Sequence, residues 1–162
     1  MTAKNPFSPD KIFAHPERIT EWLRTGLSRP VTFELDIANT CNHACPYCFG
    51  FHPRRNRVRM KPEDIRRILK EIVSAGGKAV TFTGGGEPLT HPYAPEALEF
   101  AGGLGLDTAL ITNGELLCLR SRKSVLRSCS WVRISLDAAN PDTFRAAHGR
   151  GKESFLRGYK KH

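Results

Sequence analysis

The sequence predicts an α/β fold with a parallel sheet. Strand-like and helix-like segments alternate four times, with strands opening near residues 31, 79, 106 and 130. The last two intervals, 27 and 24 residues, approach the roughly 30 residues of a strand–helix–strand unit. Right-handed crossovers between parallel strands follow, in either a barrel segment or an open doubly wound sheet. Composition agrees: 162 residues, 40% hydrophobic and 25% charged, make one globular domain with a sizeable core.

The elements justify themselves in order. Residues 1–14 are proline-rich and read as irregular. From His15 to Thr25 a short helix is expected to pack across one end of the domain, with Ile19, Trp22 and Leu23 at helical spacing and Gly26 as its stop. Val31 to Ile37 alternates as a strand does. Pro62 to Ala75 carries an apolar stripe of Ile65, Ile68, Leu69, Ile72 and Val73, a proline and two acids in its first turn, and Gly76-Gly77 as its stop. Ala79–Thr83 is the second strand and Tyr93–Ala101 the next helix. Leu106–Thr112 is the third strand, Glu115–Arg127 a helix, and Trp131–Leu136 the fourth strand. Pro141–Ala147 and Lys152–Lys160 read as two short helices of a further crossover.

In both architectures, function gathers at the C-terminal ends of the strands. Four motifs fall there: the thiol loop Cys41-x3-Cys45-x2-Cys48, the turn Gly84-Gly85-Gly86-Glu87-Pro88, Thr112-Asn113-Gly114, and Ser135-Leu136-Asp137. Three thiols in eight residues suit a soft metal or an iron–sulfur cluster, with one coordination position left for a ligand. A structural zinc, with His43 or His52 as fourth ligand, is the bland alternative, and His52 is the better placed of the two. The glycines let backbone approach a ligand, Glu87 suits an ammonium, and the missing Lys-Ser/Thr excludes a phosphate-binding loop. The two remaining motifs offer polar groups for hydroxyls or a carboxylate. Cys118 and Cys129 read as buried bystanders.

The five cysteines, three of them in one loop, do not form a disulfide framework and point to a reducing compartment. No apolar run spans a bilayer, and the first residues lack a signal peptide's apolar stretch, so a cytoplasmic protein without membrane association is expected. The net charge of +9 concentrates partly in Arg54, Arg55, Arg57 and Arg59. No nucleic-acid-binding motif accompanies it, so it reads as solvated faces or as a docking surface for an anionic partner.

The thiol loop with an aromatic before its last cysteine, followed by Gly-Gly-Glu-Pro after the second strand, resembles the radical S-adenosylmethionine (radical SAM) superfamily over about residues 31–160. The resemblance implies a partial (β/α) barrel, with about four of its six β/α units here. It implies a 4Fe–4S cluster on Cys41, Cys45 and Cys48, whose remaining iron takes the amino and carboxylate groups of S-adenosylmethionine. Tyr47 and the backbone at Phe49 would lie against the adenine, and Gly85, Gly86 and Glu87 would receive the ammonium. Asn113, Ser135 and Asp137 would hold the ribose or the carboxylate. The implied activity is reductive cleavage to a 5′-deoxyadenosyl radical that takes hydrogen from a substrate. The alternative is a truncated, non-catalytic module binding zinc or an iron–sulfur group. A flavodoxin- or ferredoxin-like electron donor is implied, and a partner chain is a candidate for completing the barrel. The expected organisation is an N-terminal extension, residues 1–30, and a core, residues 31–162, that stops before its fifth strand.

Overall fold

The computed structural model describes residues 13–49, 57–117 and 119–159. Four strands, β1 (Thr32–Leu35), β2 (Ala79–Phe82), β3 (Asp107–Thr112) and β4 (Cys129–Ile134), form one sheet in the order β1-β2-β3-β4. Every pairing is parallel. A doubly wound sheet reverses its strand order at a switch point. This sheet does not, so the chain is a barrel segment, as the resemblance implied.

The register explains the core. Leu35 lies beside Phe82, Phe82 beside Leu110, and Leu110 beside Val132. With Val80, this row packs on Ile65, Leu69 and Ile72 of α2 (Pro62–Ser74), Ala97, Leu98 and Ala101 of α3 (Ala94–Gly103), and Val125 of α4 (Leu119–Ser128). Phe82, Leu98 and Leu110 are fully buried, each contributing about 1.5–3 kcal/mol by leaving water. The alternate row, Glu34, Thr81, Ala109 and Trp131, points to the opposite face. Helices cover one face of the sheet, and the strand C-termini all end at one rim.

Three segments depart from expectation. α1 (Pro16–Thr25) forms, but no residue of it is buried, and Trp22 and Leu23 are exposed. Its anchor is polar: the Arg18 guanidinium donates to the Gly76 carbonyl at 2.6 Å. Three apolar residues with little facing surface do not make a packed stripe. α4 starts at Leu119 rather than Glu115, because Glu115 is drawn into a buried polar cluster and Gly114 turns the chain at φ 79°. Between Glu87 and His91 the chain makes a single 3-10 turn, Pro88–Thr90, with the Glu87 carboxylate as its cap. The crossover after β4 holds α5 (Pro141–His148) and α6 (Lys152–Tyr159). α5 is capped by Asn140, whose carboxamide oxygen accepts from the backbone N–H of Asp142 and of Thr143.

Cys118, His52, Arg54 and Arg55 lie outside the described residues. Cys129 is half-buried against the core, and burial pushes its thiol up to about 12. That keeps it protonated at neutral pH.

Candidate functional site

The thiol loop leaves β1 through Asp36, Ile37 and Ala38, and a returning segment braces its start. Met60 N–H donates to the Ile37 carbonyl at 2.9 Å and Asn39 N–H to the Val58 carbonyl at 3.1 Å. Cys41, Cys45 and Cys48 are half-buried and free of disulfides. Cys48 N–H donates to the Cys45 carbonyl at 3.1 Å, closing a turn over Pro46-Tyr47. The Cys41 sulfur accepts from the His43 backbone N–H at 3.4 Å and faces the Asn113 amide nitrogen at 4.0 Å.

The glycine turn is pressed onto this loop. Asp36 accepts from Gly85 N–H at 2.7 Å and Ala38 N–H at 3.2 Å. Gly84 sits at φ 123°, and a Cβ there would strike the Asp36 carboxyl group. At Gly86 a Cβ would run into the carbonyl oxygens of Thr40 and Ala38. Glu87 N–H donates to the Thr40 carbonyl at 2.8 Å. Only a residue without a side chain brings the second strand end this close to the first.

Glu87 departs from its expected role. Its carboxylate turns inward, 3% exposed, and accepts from the Thr112 hydroxyl at 2.7 Å, Asn113 N–H at 2.7 Å and Leu89 N–H at 3.1 Å. Burial pushes its carboxyl up, against the pull of those bonds. All three partners are donors, so the geometry serves an ionised acceptor. Glu87 is a brace between the β2 and β3 ends, not a rim group awaiting an ammonium.

Asn113 is likewise committed within the protein. Its Nδ2 donates to Asn42 at 2.9 Å and its Oδ1 accepts from Glu115 N–H at 3.0 Å. Ser135 N–H donates to the Thr112 carbonyl at 2.9 Å, fixing the β4 end beside β3. Asp137 accepts from the Tyr47 hydroxyl at 2.9 Å, which joins the β4 end to the thiol loop. Burial, and then that bond, raise the Tyr47 hydroxyl above its ordinary value. Phe49 is exposed.

Three residues that sequence reasoning did not place in the site, Asp36, Glu115 and His148, hold it together with His43, which the sequence offered only as a zinc ligand. His43 Nε2 lies 3.0 Å from Glu115 Oε2, with both side chains buried. Glu115 also accepts from Asn42 at 3.0 Å, from Arg157 at 2.9 Å and from Arg150 at 3.4 Å. Burial alone would raise its carboxyl, but hydrogen bonds from Ser154, Arg150 and His43 outweigh it and hold the group below its ordinary value. His148, the last residue of α5, sets Nδ1 3.2 Å from the Cys45 sulfur and Nε2 3.7 Å from Asp137. Burial lowers the pKa of both imidazoles, with Glu115 opposing at His43 and Asp137 at His148. His43 carries a signal in its position between two cysteines. His148 stands 103 residues from its partner, and no spacing reveals it.

The family model described as the radical SAM superfamily matches residues 35–161. The chain belongs to the radical SAM superfamily. Among its curated relatives, a GTP 3′,8-cyclase of Acidothermus cellulolyticus is 33% identical over 138 residues, covering 78% of this chain and 37% of the relative. An S-adenosylmethionine-dependent nucleotide dehydratase of Flammeovirga pacifica is 30% identical over 122 residues, 70% of this chain and 40% of the relative. The chain thus spans about two fifths of the length of these relatives. Streptococcus suis SuiB, solved bound to its precursor peptide SuiA, superposes with a TM-score of 0.71 at 16% identity over 97% of this chain and 36% of its own. That likeness shows the radical SAM fold.

Radical SAM enzymes use a 4Fe–4S cluster and S-adenosylmethionine. The donor set here fits the cluster. Three thiols are the right soft ligands, and N–H groups of His43 and Asn113 aim at the Cys41 sulfur, as suits a thiolate that only accepts. A single tetrahedral ion needs its ligand atoms roughly 4 Å apart. Among the described residues, the one group with all ligand atoms within 4.8 Å of one another is His43, Cys45 and His148. It takes one thiol of the three.

Proposed function

We propose that this chain is the cofactor-binding part of a radical SAM enzyme. Cys41, Cys45 and Cys48 ligate the cluster, and the Gly84–Gly86 turn offers its backbone to the ammonium of S-adenosylmethionine. Tyr47, the backbone at Phe49, Ser135 and Asp137 hold the adenosine side. When bound, the pair supplies a 5′-deoxyadenosyl radical that takes hydrogen from a substrate. The protein's own part is to hold the loop still. The observation that carries this reading is that all four strand ends are tied to one another at the thiols: Asp36 to Gly85, Glu87 to Asn113, Ser135 to Thr112, and Tyr47 to Asp137. Such bracing supports a loop that holds its ligands in place and keeps a reactive species from water.

The relatives' names make nucleotides the first substrate class to try, GTP foremost, and the net charge of +9 favours an anionic substrate. The same charge suits an acidic flavodoxin- or ferredoxin-like donor in the cytoplasm. No helix among the described residues is long and apolar enough to cross a membrane. The test is anaerobic reconstitution with iron and sulfide, then dithionite and S-adenosylmethionine, with 5′-deoxyadenosine measured. The expected result is iron and sulfide incorporation that Cys41→Ala, Cys45→Ala or Cys48→Ala abolishes, with 5′-deoxyadenosine formed. A second reading, one zinc at His43, Cys45 and His148, has the 4.8 Å grouping in its favour. Stoichiometric zinc with no iron uptake would establish it and sink the first.

A further inference from the structure

α5 is fastened to the thiol loop twice. Ala44 N–H donates to the His148 carbonyl at 3.0 Å, and His148 Nδ1 lies 3.2 Å from the Cys45 sulfur. The next residue, Gly149, ends the helix at φ 63°, and a Cβ there would sit 3.3 Å from Ala44. The His148 side chain is 2% exposed. It is wedged against Phe144 at 4.5 Å between ring centroids, His43 at 5.1 Å and Tyr47 at 6.4 Å. Packing on three sides fixes its orientation. Such a clamp exceeds what a solvent-facing loop needs for support.

Resting on the cluster reading above, we propose that His148 is a positioning residue that tunes the cluster by donating an Nδ1–H hydrogen bond to the Cys45 sulfur. A metal-bound thiolate carries no proton and can only accept. Cluster ligation by Cys45 therefore requires the proton on His148 Nδ1. Hydrogen bonds to ligand sulfurs stabilise the more negative, reduced cluster and raise its potential. The cysteines are then unequal: Cys45 is served by a buried side chain from the β4–α5 crossover, Cys41 by Asn113 and its own loop.

The test measures the cluster's midpoint potential by EPR-monitored reductive titration of the reconstituted protein, beside His148→Phe and His148→Asn. Phenylalanine keeps the packing and removes the donor; the asparagine amide can replace it. H148F is expected to shift the reduction equilibrium about tenfold toward the oxidised cluster, 59 mV for one electron, and H148N to return within about twofold of the parent. A potential unchanged in H148F, or lowered equally in both variants, overturns the proposal. Should H148F fail to load, pulsed EPR of the reduced parent and of H148N, both carrying histidine 15N-labelled in the ring, decides: an imidazole coupling present in the parent and lost in H148N supports the bond, and one absent from the parent or retained in H148N overturns it. Failure of the parent to take up iron is a different result, refuting the cluster reading and the proposal with it.

Discussion

Replacing Glu87 with glutamine tests the central brace. The wild-type carboxylate serves three donors inside the protein: Thr112 and Leu89 on Oε1, Asn113 on Oε2. Glutamine keeps one acceptor oxygen. With that oxygen on the Oε1 side, its NH2 group faces Asn113 N–H, two donors with nothing between them. An orphaned buried donor costs about 1–3 kcal/mol, and charge-assisted bonds to Thr112 and Leu89 fall to neutral ones. Relief of a buried charge offsets part of this. Glu87→Gln should therefore lose about 2–4 kcal/mol in the cofactor-free protein, read by urea unfolding with an unchanged m-value. Were Glu87 protonated, or reserved for an ammonium, the near-isosteric change would leave the cofactor-free stability within about 0.5 kcal/mol. That result refutes the brace.

Two further substitutions separate the parts of the site. Gly86→Ala drives a Cβ into the backbone carbonyls of Thr40 and Ala38, which cannot swing away, and should cost at least about 2 kcal/mol with loss of iron loading. Gly85→Ala meets only the Asp36 carboxylate at 3.2 Å and should cost no more than about 1 kcal/mol; equal losses at the two positions contradict the packing described. Glu115→Gln should cost about 1–3 kcal/mol at neutral pH. Because the folded protein holds Glu115 below its ordinary value, its contribution is present above pH about 4.3 and is lost as pH falls through the depressed folded value. Urea titrations across that acid range should show a flatter limb for the variant, and parallel limbs would count against the assignment.

Much of the site's placement was legible because it rests on local rules. The alternation of strand and helix, the stripe of α2 and the thiol spacing are short-range patterns, and each strand end carried its motif within a few residues. What those motifs do was less legible. Glu87 read as a rim carboxylate because a sequence shows a charge but not the direction in which it points. α1 read as packed because helical spacing says which residues share a face, not whether anything lies opposite.

By itself, the sequence determined the parallel α/β class, the four strand ends at one rim and the gathering of three thiols at the first of them, all from periodicity and spacing. Tertiary structure decided the rest. Strand order distinguished a barrel segment from a doubly wound sheet, since both share the same alternation. Burial turned Glu87 into a brace, and chain crossover brought His148 to Cys45 across 103 residues. Hydrogen bonds form wherever folding places donor beside acceptor, and separation along the chain carries no trace of that distance.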